Sequence, residues 1–380
     1  MTHILAPLAV DKRNPAAILP DLEAAIAGQS TFLPVPAEDR TRTELLRNHM
    51  QAGTPIDSSI ALVVATSGST GTPKGAQLTA ANLVSSADAT HRTLGGAGQW
   101  LLAMPASHIA GIQVLVRSLV AGVEPLCLDL SHGFNVPDFA RAAHELAGTG
   151  DRSYTALTPM QLAKAMDTLE GIKALRTFDA ILVGGAATHP QLLDSARKLR
   201  ITIVTTYGSS ETSGGCVYNG APLPGVRVRI GEHGRIYLGG PMIAQGYRNV
   251  DSSAFSVDES GTSWFATSDA GALIDGHLTV TGRLDSIINT GGLKLHPEQL
   301  EQHILHVPGV EAACVVGIPD PRLGQMVVAA YSGWASRTDI LEALDDLPRW
   351  QVPKDLLRVD VLPTIGPGKV DRQAVACLFA

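Results

Sequence analysis

Ten residues, Thr66-Ser67-Gly68-Ser69-Thr70-Gly71-Thr72-Pro73-Lys74-Gly75, constrain this chain more than any other stretch. An apolar run, Ile60–Ala65, leads in, and Ala76–Thr79 leads out towards a helical pattern. Apolar flanks of that kind predict a strand–loop–strand unit. A flexible Ser/Gly linker, the plainest alternative, has no need of them. Glycines let successive backbone N–H groups turn into a concave nest, hydroxyls add donors, and a lysine adds a point charge. The composition therefore suits an anion, and the phosphates of a nucleotide above all. A Walker-type loop needs Gly-Lys-[Ser/Thr] at its end. Here Pro73 precedes Lys74 and Gly75 follows it, so this is a phosphate loop of another class.

The surroundings predict an α/β fold of two domains, as 380 residues suggest. Residues 1–57 read as a lead-in. It holds a short helix capped by Asp21, an extended Phe32–Pro36 piece and an amphipathic helix over Glu38–Met50. From Ser59 to Gly208, strands alternate with helices. The strands fall at Ile60–Ala65, Trp100–Met104, Glu124–Leu130, Tyr154–Thr158, Phe178–Val183 and Ile201–Thr205. The helices fall at 80–94, 109–121, 136–147, 159–168 and 189–199. Alternation predicts one mostly parallel sheet with helices on both faces. Ligands in such sheets sit beyond the carboxyl ends of strands. Two loops fall there, Gly184-Gly185-Ala186 and Thr206–Glu211. Residues 220–284 read as a β-rich part of the first domain, with Ser268–Gly271 in one of its turns. A domain boundary is placed at Asp285. Residues 285–380 read as a smaller, mobile α+β lid, with a glycine pair (Gly291, Gly292), a helix opened by Pro297, and a Gly/Pro-rich tail at Pro363–Arg372.

Composition removes several function classes. A net charge of −7 gives no nucleic-acid footprint. No apolar run approaches the ~20 residues of a membrane span, and Met1–Val10 lacks the form of a signal peptide. Cys127, Cys216, Cys314 and Cys377 are scattered, without metal spacing. They read as reduced thiols, and the chain as a cytoplasmic protein.

Thr66–Gly75 resembles the signature loop of the adenylate-forming superfamily of acyl-CoA synthetases, luciferases and nonribosomal adenylation domains. Further segments carry the resemblance in order. Tyr207-Gly208-Ser209-Ser210-Glu211 is similar to YGxTE, with Ser210 keeping the hydroxyl. Gly240-Pro241 with Gly246-Tyr247 is similar to GPxxxxGY. Trp264–Asp269 resembles (W/Y)xxTGD, with Ser268 in place of glycine. Gly282-Arg283-Leu284-Asp285 through Lys294 matches GRxD…GG.K, and Pro363–Arg372 matches P.T..GK.(D/R). Only 65 residues precede Thr66, fewer than is usual. That short lead-in, together with Met104–Gly111, is similar to the compact actinobacterial o-succinylbenzoate–CoA ligases of menaquinone biosynthesis.

The resemblance implies an enzyme that joins an acid to coenzyme A through an acyl-adenylate, using ATP and Mg²⁺. Other aryl- or acyl-CoA synthetases and carrier-loading adenylation enzymes remain alternatives, and a nucleotide-binding module without catalysis is a more distant one. It implies that Ser67, Gly68, Ser69, Thr70, Gly71, Thr72 and Lys74, with Thr66, hold the β- and γ-phosphates. Glu211 holds Mg²⁺, with Ser210 beside it. Tyr207 and Gly208 lie against adenine, with Gly184, Gly185 and Ala186 behind. Asp269 accepts from the ribose hydroxyls, and Arg283 donates to ribose or phosphate. Lys369 is the key catalytic residue, its point charge brought to the α-phosphate and the attacking carboxylate. Asp285 is the hinge. His108 lines the acyl pocket, with a core histidine as the competing reading. Arg117 stands in an otherwise apolar helix, where burial is costly without an anion. It is assigned to the second carboxylate of a dianionic acid, directly or through water. An arginine snorkelling to the surface is the alternative. The partners implied are small molecules, and a homodimer stays open.

Overall fold

The computed structural model describes residues 2–66, 73–365 and 369–379, with the side chains of Ile365 and Lys369 outside that description. Backbone packing divides the chain into two compact units. The first is Met1–Thr188, Leu192–Arg229 and Tyr237–Ala266; the second is His189–Gln191, Ile230–Ile236 and Thr267–Ala380.

The first unit holds two sheets where one was expected. The phosphate loop belongs to a five-stranded sheet in the order Pro55–Asp57, Thr2–Val10, Thr31–Pro36, Ile60–Ala65, Gly75–Thr79. Its three middle strands run parallel, and both outer strands run antiparallel. Residues 1–57 are thus more than a lead-in: they build three of the five strands. The helices expected there are shifted to Leu19–Ile26 and Arg40–His49. Asp21 lies inside the first turn of one. Asp39 caps the other, its carboxylate accepting from the Arg42 N–H.

The second sheet has seven strands, in the order Ala221–Pro222, Gly214–Tyr218, Ile203–Ser209, Ala180–Val183, Ser153–Leu157, Gln99–Leu102, Leu126–Cys127. From Ile203–Ser209 onward every pairing is parallel. The strand expected over Glu124–Leu130 shrinks to Leu126–Cys127, at the sheet's edge. Pro125, next to it, has no N–H to give a ladder. The helix expected over 159–168 is found as Pro159–Met166, and an unexpected second helix, Leu169–Leu175, follows because the Thr168 hydroxyl caps a new start at the Gly171 N–H.

One apolar layer draws side chains from both sheets and the helices that pack on them. It joins Leu62, Val64 and Leu78 to Trp100, Leu102 and Tyr154, with Ile112, Val114, Leu115 and Val116 among them. The Ile109–Ala121 helix is buried from Gly111 to Ser118 without a break. A helix apolar all round has no solvent face to offer a charged side chain.

In the second unit, Val310–Asp320 and Gly324–Gly333 form a long antiparallel pair, with Ile288–Thr290 and Asp355–Arg358 also on the latter strand. The helix Pro297–Leu305 packs Leu300 and Ile304 on the sheet beside Val315, Val327 and Tyr331. Ser263–Ile274 and His277–Arg283 pair antiparallel across Asp269↔Arg283, with a bulge between Ala270 and Gly271. Asp269 is therefore a strand residue, not a turn residue. Asp285 falls inside this unit, in the 3-10 turn Leu284–Ser286. The tail contains the short pair Thr364–Ile365 and Lys369–Val370, then the helix Arg372–Cys377.

Candidate active site

Ser67, Gly68, Ser69, Thr70, Gly71 and Thr72 lie outside the described residues; Thr66 and Pro73–Gly75 form the base of their loop. The Thr66 N–H donates to the Lys74 carbonyl across 2.7 Å. A distant segment pins the outgoing strand. The Asn249 amide donates to the Pro73 carbonyl (2.9 Å) and accepts from the Gly75 N–H (3.1 Å). The Arg248 N–H donates to the Gly75 carbonyl and the Gln77 N–H to the Gly246 carbonyl, so residues 245–249 extend the sheet's edge.

This segment delivers Tyr247, to which the sequence reading gave no role. Its hydroxyl donates to Glu211 Oε1 at 2.7 Å, and Lys74 Nζ stands 5.1 Å from its ring centroid. Burial, and then the neighbouring Glu211 charge, push the phenol well above its ordinary range. Tyr247 thus stays a neutral donor. Lys74, Tyr247 and Glu211 form one cluster, with a cation on one ring face and a carboxylate at the phenol oxygen.

Glu211 sits in the 3-10 turn Ser210–Thr212 at the end of Ile203–Ser209. That strand runs on through Tyr207 and Gly208, which had been expected in a loop. A register shift between them marks the switch towards the turn. Ser210 and Glu211 are both buried. Tyr207 is half-buried, opposite Val217. A Cβ at Gly208 would strike the Gly214 carbonyl, and one at Gly184 would strike the Thr206 hydroxyl. Close backbone approach therefore requires glycine at both places. Gly185 and Ala186 follow, exposed, at the end of Ala180–Val183.

His108 is the exposed N-cap of Ile109–Ala121, which removes the core-histidine alternative. Arg117 is 3% exposed, so it is no snorkelling arginine. Its guanidinium lies 4.9 Å from the Trp100 ring centroid, and Nη2 donates to the Tyr218 hydroxyl at 3.4 Å. Its Nε has no hydrogen-bond partner among the described residues. Burial pulls its pKa down, with the Tyr218 hydroxyl acting weakly the other way.

Asp269, Arg283 and Asp285 meet in the second unit. Arg283 grips Asp285 with both ends of its fork, Nε to Oδ1 at 2.8 Å and Nη2 to Oδ2 at 2.5 Å. Its Nη1 is 3.7 Å from Asp269 Oδ1. Hydrogen bonding to Asp285 raises the arginine's pKa. Lys369 lies on the final hairpin, opposite Ile365.

A Mg²⁺ ion accompanying ATP is consistent with these donors. Among the described residues no group of three His, Cys, Asp or Glu could cage a metal. Mg²⁺ normally keeps waters and phosphate oxygens and asks one or two carboxylates of the protein. Glu211 gives one oxygen to Tyr247, and a carboxylate has acceptor capacity beyond one hydrogen bond.

The sequence matches the AMP-binding enzyme family over residues 7–248 and the AMP-binding enzyme C-terminal domain over residues 299–369. The chain belongs to the AMP-binding enzyme family. It is 46% identical over 376 residues to the "Probable 2-succinylbenzoate–CoA ligase" of Mycobacterium tuberculosis, covering 96% of each chain. It is 29% identical over 385 residues to the 2-succinylbenzoate–CoA ligase of Escherichia coli, covering 97% of this chain and 81% of that one. Its fold resembles o-succinylbenzoate CoA synthetase from Bacillus subtilis in complex with the acyl-adenylate intermediate. The TM-score is 0.82 at 21% identity, over 98% of this chain and 88% of that one. ATP-bound MatB from Rhodopseudomonas palustris is equally similar, with a TM-score of 0.83 at 20% identity over 99% and 89%. The shared fold therefore does not choose the acid. No helix among the described residues is long and apolar enough to cross a membrane.

Proposed function

We propose that the chain is an AMP-forming acid–CoA ligase acting on 2-succinylbenzoate. The substrate reading is supported by the 46% identity, sustained over nearly all of both chains, to a protein that carries that activity in its name. The chemistry reading rests on the cluster of Lys74, Tyr247 and Glu211 at the mouth of the phosphate loop.

The reaction begins when a carboxylate attacks the α-phosphorus of ATP, giving acyl-adenylate and pyrophosphate. The CoA thiol then attacks the acyl carbon, and AMP leaves. Two anions must approach in the first half, so positioning and electrostatic stabilisation supply most of the catalysis. The Thr66–Gly75 loop and Lys74 hold the β- and γ-phosphates. Glu211, oriented by Tyr247, would hold a Mg²⁺ ion, which would supply charge neutralisation at the phosphates. Tyr207 and the Gly184–Ala186 backbone flank adenine. Asp269 accepts from the ribose hydroxyls, and Arg283 donates to ribose or phosphate. Lys369 brings its ammonium to the α-phosphate, and rotation about Asp285 exchanges it for the Gly291–Lys294 hairpin in the thioester half. Arg117 serves the second carboxylate of the acid, directly or through water, and His108 borders the acyl site. Arg117 fits that role because it is a buried cation whose Nε lacks a partner among the described residues.

CoA-dependent AMP release across a panel of acids tests this reading. The highest kcat/KM is expected with 2-succinylbenzoate, ahead of benzoates and fatty acids. A higher kcat/KM for another acid would replace the substrate. Hydroxylamine trapping that yields no hydroxamate from any acid would remove the ligase.

A further inference from the structure

Arg372 belongs to the terminal segment that carries Lys369, yet adenylation as described above assigns it nothing. In the second unit it is the centre of a half-buried ion cluster. Its Nη1 donates to Glu301 Oε1 and its Nη2 to Glu301 Oε2, at 2.7 and 2.9 Å. Nη1 also donates to the Val315 carbonyl at 2.7 Å, and Nη2 reaches Glu298 Oε1 at 3.3 Å. Burial works against the cation, but the Glu301 carboxylate outweighs it and the pKa is raised.

Glu298 carries the connection further. Its Oε1 accepts from the Ser286 hydroxyl at 2.8 Å. A Cβ built on Gly282 would lie 2.6 Å from its Oε2. Glu298 is thus wedged against the Gly282–Ser286 segment, which holds Arg283 and Asp285. One continuous set of contacts runs from that segment through Glu298 to Arg372, three residues beyond Lys369.

The hairpin needs such an anchor. Its strands, Thr364–Ile365 and Lys369–Val370, are two residues each, too short to fix their own position. A further bond, from the Asp371 N–H to the Pro363 carbonyl, closes their base. Apolar packing of Val370 and Val375 beside Cys314, Val316 and Val328 holds the outgoing leg to the body of the unit, and Arg372 adds the polar tie that reaches the Gly282–Ser286 segment through Glu298.

We propose that Glu298 and Arg372 are positioning residues: a strut that sets the Lys369 hairpin relative to the Gly282–Ser286 segment, and thereby the rate of adenylation. This rests on Lys369 serving adenylation as proposed above. A displacement of about 1 Å at a reacting group can lower a rate by roughly a hundredfold.

The test compares Glu298→Gln, Arg372→Lys and Lys369→Ala in the full chain. Adenylation is read by hydroxamate formation from 2-succinylbenzoate and ATP. Thioester formation is read from supplied acyl-adenylate and CoA, and thermal unfolding is followed throughout. Glu298→Gln keeps shape and leaves the Arg372–Glu301 pair intact, so it tests the strut without emptying the cluster. The expected result is a kcat for adenylation lowered about tenfold in Glu298→Gln and about a hundredfold in Arg372→Lys, with KM for ATP within twofold and thioester formation within threefold. A merely structural role would lower both halves together, in step with the unfolding midpoint, and would overturn the proposal. So would adenylation within twofold of the parent in both strut variants while Lys369→Ala abolishes it. If Lys369→Ala leaves adenylation intact, the role of Lys369 falls and the strut falls with it, an outcome separable from the others by that variant alone.

Discussion

The Tyr247 hydroxyl donates to Glu211 Oε1 across 2.7 Å, and the same ring lies under the Lys74 ammonium. One side chain therefore links the exit of the phosphate loop to the carboxylate assigned to Mg²⁺. Tyr247→Phe keeps the ring under Lys74 but leaves Glu211 buried with one donor fewer. An unpaired buried acceptor costs about 1–3 kcal/mol. A lower unfolding midpoint and a roughly tenfold higher KM for MgATP are expected, with KM for the acid nearly unchanged. Steady-state kinetics with each substrate varied in turn checks this.

Asn249 makes two hydrogen bonds at the base of the phosphate loop. Asn249→Ala removes both, each worth about 1 kcal/mol. KM for ATP is expected to rise about tenfold, and KM for 2-succinylbenzoate and CoA to stay within twofold. An equal rise for all three substrates would mean general unfolding of the unit.

Arg117 is a buried cation whose Tyr218 and Trp100 contacts are both to neutral groups. Replacing a buried charge by an apolar side chain of similar length is often neutral or stabilising. Arg117→Met is expected to leave the unfolding midpoint unchanged or raise it. KM for 2-succinylbenzoate should rise about ten- to a hundredfold, the scale of a lost charge-assisted hydrogen bond. Unchanged KM would take Arg117 out of the acyl site.

Burial, and then the Arg117 charge, hold His91 below the ordinary histidine value of 6.5. Trp100 Nε1 donates to its Nε2, which requires that nitrogen to be unprotonated. The folded chain then binds fewer protons than the unfolded one. His91 is compatible with full stability above pH 6.5 and loses it as pH falls through that value towards its own folded pKa. Urea unfolding at pH 7.5 and pH 5.5 should show a loss on acidification that is smaller in His91→Gln, which can still accept from Trp100.

Local chemistry was legible in the sequence. Ala80–Leu94 and Ile109–Ala121 have the expected limits because Gly95 and Gly122 take left-handed caps, and Thr79 with Asn82 closes a capping box. Relationships between distant segments were less so. The Thr2–Val10 strand contains Pro7 and became a strand through two partners distant in sequence, parallel Thr31–Pro36 and antiparallel Pro55–Asp57. Asp269 looked like a turn residue beside Gly271, but pairing with Arg283 absorbs it into a bulged strand. Gly246-Tyr247 was visible as a motif. Its purpose was not, because Glu211 lies 36 residues earlier and hydrophobic periodicity carries no trace of a side-chain hydrogen bond. The Glu298–Arg372 contact spans 74 residues and was hidden for the same reason.

The bond between Gly75 and Asn249 also has a history in time. The two residues are 174 positions apart. At about 5–20 residues per second, roughly 9–35 s of synthesis separate them on the ribosome. Until Asn249 emerges, the outgoing strand of the phosphate loop lacks its outer clamp. Through that interval the early strands rest on their own ladder hydrogen bonds and apolar packing, and the outgoing strand of the loop gains its outer clamp only afterwards.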